Sequence, residues 1–224
     1  RKQLLNQGFN LGQATATLSQ SLGVKHRILP MSNDAVRTVV HSDKGDLAFQ
    51  EYFVRDQCKP VAKGFTFEGI KNAQAHPDFL RLLQDKNLSA IFICPSNPFV
   101  SVDPILQLPH VLPAIRQNKV PVIAVSPIIG GQAIKGPAAK MMAELGMPQT
   151  ASAVAQHYQQ YGELLSGFVV DTADRDLLDE LQSIVPSLVT PTFMQSLEDR
   201  IALANAVLAF AQQRHNHHAD TDSG

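Results

Sequence analysis

The sequence predicts an α/β fold of the Rossmann-like, doubly wound type: a mostly parallel sheet with flanking helices, a small helical segment at the start and a β-hairpin insertion. Three observations predict it. Short, wholly apolar runs recur at residues 90–94 (AIFIC), 120–125 (VPVIAV) and 168–170 (FVV). None alternates polar with apolar residues, the mark of strands buried on both faces. Helical patterns separate the runs, as the crossovers of a parallel sheet require. The 224 residues are 44% hydrophobic and 17% charged, which suits a globular chain with a sizeable core.

Residues 1–22 read as two short helices broken at Gly8. Leu4 and Leu5 share a face of the first, and Leu11, Leu18 and Leu22 recur at roughly helical spacing in the second. Residues 1–25 are thus expected to be the end of a helical subdomain, and with Arg1 in mid-helix the chain is expected to be a fragment. Residues 26–213 are expected to form the Rossmann-like domain. It opens with two β-rich stretches, RTVVHS and LAFQEYFVR, separated by a Lys44–Gly45 turn and predicted to form an antiparallel hairpin. Helices are predicted at 77–86, 108–118, 137–145 with 151–161, and 174–182, and a weaker apolar run at 184–189 supplies a fourth strand. A long amphipathic helix over 194–213 closes the fold. Its stripe of Ile201, Ala204, Val207 and Leu208 is core or a homodimer surface, with core the default. The tail, 214–224, has no apolar face and is expected to be disordered, with His215, His217 and His218 solvated rather than metal-bound.

Charge and spacing exclude several classes. A net charge of −1 gives no basic field to recruit nucleic acid or anionic lipid, so an anionic substrate must meet a local arrangement of donors. No apolar run approaches the roughly 20 residues that span a bilayer, and no signal peptide is expected. With Cys58 and Cys94 read as reduced structural residues, the expected location is the cytoplasm. His26, His41, His76, His110 and His157 lack HxxxH or HExxH spacing and read as surface or loop residues. There is no GxSxG elbow and no paired-cysteine zinc site.

Ligands of open α/β sheets bind at the carboxyl ends of the strands. After AIFIC comes Pro95-Ser96-Asn97-Pro98, where two prolines stiffen a turn. Ser96 and Asn97 either offer donors at the top of the sheet or cap the next helix. After VPVIAV comes Ser126-Pro127-Ile128-Ile129-Gly130-Gly131, then Lys135-Gly136-Pro137. Adjacent glycines allow close backbone approach to a ligand, and a lysine before a proline-started helix suits an anion. This is not a Walker A loop, because no GK[ST] follows. Asp171, after FVV, either binds a metal or ribose or caps a helix, with Asp174 the better cap. The residues alone lead to an anion-binding α/β protein.

Two long motifs carry a resemblance. SNPFVSVDPIL and VSPIIGGQAIKGPAAKMMAELG, supported by ILPMSNDAVRTVV, FQEYFVR and SGFVVDTAD, resemble in order the signatures of the 2-phospho-L-lactate transferases, the CofD family. The likeness runs from Arg1 to about Ala211. It implies a phosphotransferase for substituted phosphate groups in coenzyme F-420 synthesis. The donor would be a guanosine diphosphate diester of a three-carbon acid, the acceptor the ribityl hydroxyl of the deazaflavin FO, GMP the leaving group, and Mg²⁺ the assisting ion. Phospholactate, phosphoenolpyruvate and 3-phosphoglycerate differ by small groups, and one or two side chains could retune a single pocket among them.

On this reading Lys135 and Asn97 are the candidate catalytic residues. Ser96, Asn97, Ser126, Gly130, Gly131, Lys135 and Gly136 are candidate substrate contacts, and Asp171 is the candidate metal ligand. Arg1 matches the arginine of an R-T-x-x-L-x-x-G helix linked to acceptor contact, although Lys2 replaces the threonine. The family's first strand, GG-x-GG turn and GDD-type loop do not occur in this sequence, so it is expected to hold the guanylate and acid half of the site, to be inactive alone and to expose a sheet edge. A YvcK-like nucleotide-sugar-binding regulator is the alternative. Its first turn resembles GPGSLYTS where this chain has CPSNPFVS. A dehydrogenase would need G-x-G-x-x-G after its first strand, which is missing.

Overall fold

The computed structural model describes residues 1–134 and 136–221. Helix α1 (Lys2–Asn6) stops at Gly8, whose φ of 90° belongs to the left-handed region, and the Phe9 N–H turns back to the Leu4 carbonyl at 3.2 Å. This is a glycine-terminated helix end of the kind the sequence predicts. Helix α2 (Leu11–Ser21) starts with a reciprocal capping box between Asn10 and Gln13. Its expected leucine face is corrected. Gly12 and Ala14 are the buried residues, whereas Leu18 and Leu22 are 38% and 80% exposed.

Strands β1 (Arg37–Ser42) and β2 (Gly45–Ala48) form the predicted hairpin, tight between Ser42 and Gly45. A third strand, β3 (Ala62–Glu68), pairs antiparallel with β1 on the other side and was not predicted. The expected strand through FQEYFVR is corrected too. Beyond Ala48 the chain leaves the sheet and makes one wide helical turn, Glu51–Arg55. The reason lies in pairs four residues apart. Phe49 stacks on Phe53 with centroids 5.5 Å apart, and Arg55 meets Glu51 at 3.2 Å, while Tyr52 alone of that turn is buried. Four-residue partnerships outweigh the β propensity of the aromatics.

The four apolar runs become one parallel sheet in the order β4-β5-β8-β9: β4 (Ile91–Ile93), β5 (Val122–Val125), β8 (Gly167–Val170) and β9 (Ser187–Val189). Between β5 and β8 lies a small antiparallel hairpin, β6 (Ile128–Ile129) and β7 (Gln132–Ala133). The connecting helices are α3 (Pro77–Leu83), α4 (Asp103–Leu106), α5 (Val111–Asn118), α6 (Ala138–Glu144), α7 (Ala151–Tyr158) and α8 (Leu178–Ile184). Strand pleating splits the core. Val122, Ala124, Phe168 and Val170 join Met141, Met142, Val154 and Leu181 on one face, while Ile123, Val125 and Val169 meet the closing helix on the other. Strand β4 is paired on one side only, and its Phe92 is 38% exposed.

The closing helix α9 (Leu197–Thr221) corrects two expectations. Its core face is Leu203, Val207, Phe210 and Ala211, spaced four, three and one, whereas Ile201 and Leu208 are about half exposed and Ala204 is exposed. The expected tail from 214 is helical to Thr221, because a packed helix needs only propagation, not nucleation, to extend. The side chains of His217 and His218 lie outside the described residues. Among the described residues no helix is long and apolar enough to cross a membrane.

Candidate functional site at the carboxyl edge of the sheet

The turns that follow β4, β5 and β8 meet at one edge of the parallel sheet. After β4, Asn97 is the cap of a short wide-helical segment, Pro98–Val102. Its Oδ1 accepts the N–H groups of Phe99 and Val100 at 3.0 and 3.3 Å. The side-chain nitrogen contacts Met141 Sδ at 3.2 Å. Of the two readings of Asn97, capping is therefore the one its oxygen performs, and the amide nitrogen ties this turn to α6. Ser96 is half-buried beside it.

After β5, Ser126 is 1% exposed and its hydroxyl is spent locally. Oγ donates to the Ile128 carbonyl at 2.9 Å and accepts the Ile128 N–H at 3.1 Å, closing the turn around Pro127. The hydroxyl of Ser126, a candidate substrate contact, is turned inward in this structure. Gly130 and Gly131 form the two-residue turn of the β6–β7 hairpin, with φ of 55° and 77°. Positive φ at both positions is what such a turn demands, so the glycines are explained by geometry before any ligand is invoked. Gly136, φ 73°, is exposed ahead of α6, and Lys135 lies outside the described residues.

After β8 come two aspartates with different partners. Asp171, not Asp174, is the cap. It is buried and accepts from Ala173 N–H at 3.0 Å, Thr192 N–H at 2.7 Å, Thr192 Oγ1 at 3.1 Å and Thr172 Oγ1 at 3.2 Å. Burial alone would raise its pKa, but these donors outweigh it and hold the carboxyl below its ordinary value. Asp174 instead crosses to the hairpin, where both of its oxygens accept from the Gly130 N–H, at 3.1 and 3.2 Å. Its pKa is raised, first by burial and further by Asp171, against the pull of Gly130. The Gly130 N–H can accordingly hold an anionic oxygen, and in this structure a side-chain carboxylate supplies it.

For the implied Mg²⁺, the Asp171 carboxylate is occupied by four donors in this structure. Among the described residues no three His, Cys, Asp or Glu side chains are grouped to hold a metal ion.

Behind the Asn97 turn lies a cluster that sequence spacing could not reveal. Asp103, 7% exposed, is 3.0 Å from His157 Nε2 through both oxygens, and it accepts the Tyr161 hydroxyl at 2.9 Å. Phe99 meets the His157 ring edge-on at 4.8 Å. Burial, and then Asp103, raise the Tyr161 pKa against Gln107, so its hydroxyl stays protonated as a donor. Partners 54 and 58 residues apart left no local signal, and His157 is corrected from surface residue to half-buried brace. Arg1 remains exposed at the first helix.

Residues 1–183 match the family described as 2-phospho-L-lactate transferase CofD. The chain belongs to the CofD family. It is similar to a 2-phospho-L-lactate transferase of Methanopyrus kandleri, 32% identical over 92% of this chain and 64% of that one. A 2-phospho-L-lactate transferase of Methanococcoides burtonii is 35% identical over 88% and 63%, and a phosphoenolpyruvate transferase of Kitasatospora aureofaciens 35% over 95% and 67%. The chain therefore spans about two thirds of the length of these CofD relatives. Two solved structures of a upf0052 family protein from Bacillus halodurans share the fold, with TM-scores of 0.56 and 0.62 at 13% and 14% identity. They cover 84% and 89% of this chain, and 62% and 67% of the matched chains.

Proposed function

We propose that the protein containing this chain transfers a three-carbon phospho-acid, 2-phospho-L-lactate or phosphoenolpyruvate, from a guanosine diphosphate diester to the deazaflavin FO, releasing GMP. In that reaction a bond forms between the acceptor hydroxyl oxygen and the acid-side phosphorus as the phosphorus–oxygen bond to GMP breaks, and the hydroxyl proton passes to the departing GMP phosphate or to water. The observation that carries the reading is the meeting of the Asn97 turn with the glycine-led helix α6, through Asn97 and Met141, at the carboxyl edge of a buried parallel sheet. Backbone donors and charges preset at such an edge stabilise phosphoryl transfer, one such donor being worth about 3 kcal/mol.

Lys135 would supply a cation to the diphosphate, and the half-buried Gly131 and exposed Gly136 would supply backbone. Gly130 joins them when the ligand displaces the Asp174 carboxylate from its N–H. Arg1 serves the acceptor side. Mg²⁺ is proposed with ligands other than Asp171, and no step above passes through it. A homodimer, if formed, would use the exposed Leu197, Ile201 and Leu208 stripe of α9. The test is mass spectrometry of the product made by the full-length protein from FO and an equimolar mixture of the guanylylated forms of the three acids. A product heavier than FO by one phospho-acid, with GMP released, supports the proposal. No conversion, together with thermal stabilisation by UDP-sugars and not by GDP, overturns it in favour of a nucleotide-sugar binder.

A further inference from the structure

We infer a separate oxyanion-binding site in the groove between α2 and the segment that follows it, lined at its base by His76. The groove encloses about 600 Å³, and none of the residues assigned above to the transfer site lines it. Its character follows from how its carboxamides are oriented. Asn10 Oδ1 accepts the Gln13 N–H at 2.8 Å, Gln13 Oε1 accepts the Asn10 N–H at 2.9 Å, and Asn33 Oδ1 accepts the Gly12 N–H at 2.8 Å. A backbone N–H can be accepted only by the oxygen end of an amide, so all three side chains are fixed with their oxygens committed and their NH₂ groups unspent.

His76 follows the same pattern. It is 8% exposed, and its Nδ1 accepts the Asp78 N–H at 3.2 Å. A ring nitrogen that accepts carries no proton, which places the proton on Nε2. No described residue accepts from Nε2. The fully enclosed, partnerless side-chain polar atom among the described residues is the Tyr52 hydroxyl, so Nε2 is open to the groove. Gly12 makes this placement possible, since a Cβ there would stand 2.5 Å from Nε2.

Three amide NH₂ groups, one imidazole N–H and the cations of Lys25 and Arg27 therefore line one groove. Its carboxylate, Asp78, is already paired with Arg27 and with Arg81, the latter at 3.0 Å. A groove rich in donors with its single acid neutralised is complementary to a small oxyanion, a phosphate or the carboxylate of a short organic acid. The inference does not draw on the transfer reaction and stands or falls without it.

The test is an NMR titration of the protein with inorganic phosphate, and in a second arm with L-lactate, at constant ionic strength. Saturable shifts of the Asn10, Gln13 and Asn33 side-chain amides and of the His76 ring are expected with at least one probe, and the tighter probe identifies the preferred oxyanion. Lys25→Ala, an exposed change, should weaken binding about tenfold. Gly12→Ala, which displaces the His76 ring, should abolish the shifts. Where Gly12→Ala fails to fold, Lys25→Ala decides. Shifts that sodium chloride reproduces, no shift with either probe, or unchanged affinity in Lys25→Ala would overturn the site.

Discussion

Gly167 opens β8, the strand that delivers Asp171, and it has no side chain because α9 occupies the space. A Cβ there would lie 2.5 Å from one ring carbon of Phe210, 3.0 Å from the next and 2.8 Å from Ile123 Cδ1. Ile123 is fully buried and Phe210 is 8% exposed, so neither can swing into solvent. Gly167→Ala must then push α9 off the sheet or force strained rotamers, at a cost of about 1–3 kcal/mol. Alanine recovers about 0.5–1 kcal/mol through the lower chain entropy of the unfolded state. The net loss is expected near 1 kcal/mol, lowering Tm by about 2–4 °C for a chain of this size.

The assay is urea unfolding of the parent, Gly167→Ala, Phe210→Leu and the double variant. Because Phe210→Leu removes ring atoms that the new methyl would strike, the double variant should lose less than the sum of the singles, by about 1 kcal/mol. Additive losses, or a Gly167→Ala protein as stable as the parent, would refute the claim that α9 is seated on that glycine.

Asp171→Asn should destabilise by about 1.5–3 kcal/mol, the range for hydrogen bonds to a charged group. The Asp171 pKa is depressed on folding, so its contribution is fully present above the unfolded carboxylate pKa and is lost as pH falls through the lower folded value. Urea midpoints of parent and variant should converge as pH drops below about 4, and a gap that persists unchanged into acid would contradict this. At the hairpin tip, Gly130→Ala should cost about 1–2 kcal/mol for its left-handed φ alone, because its nearest neighbour, the Ala173 Cβ, is an unstrained 3.9 Å away. Gly130→Asn should cost clearly less, asparagine tolerating that φ. Equal losses in thermal unfolding would point to sterics instead.

Much of the parallel sheet was legible because an unbroken apolar run needs no partner information. AIFIC, VPVIAV and FVV each became a strand, and local rules also placed the Gly8 helix stop and the β1–β2 hairpin. The motifs after these strands lie in turns that meet at one edge of the sheet. What they did not fix was the use of each side chain there. Asp171 and Asp174 are three residues apart, and either could cap. Thr192, brought alongside by β9, selects Asp171, and the hairpin tip selects Asp174.

The sequence by itself determined which segments are apolar, where backbone must turn, and that the chain carries no net basic charge. Only the tertiary structure decided which face of α9 is core, that FQEYFVR coils instead of extending, and that Asp103, His157 and Tyr161 meet. It also turned three amide oxygens beneath α2 toward backbone, leaving their NH₂ groups to the groove. The physical reason is common to all of these. A periodic pattern reports burial, whereas the direction of a hydrogen bond or the choice among similar faces depends on a partner supplied from elsewhere in the chain.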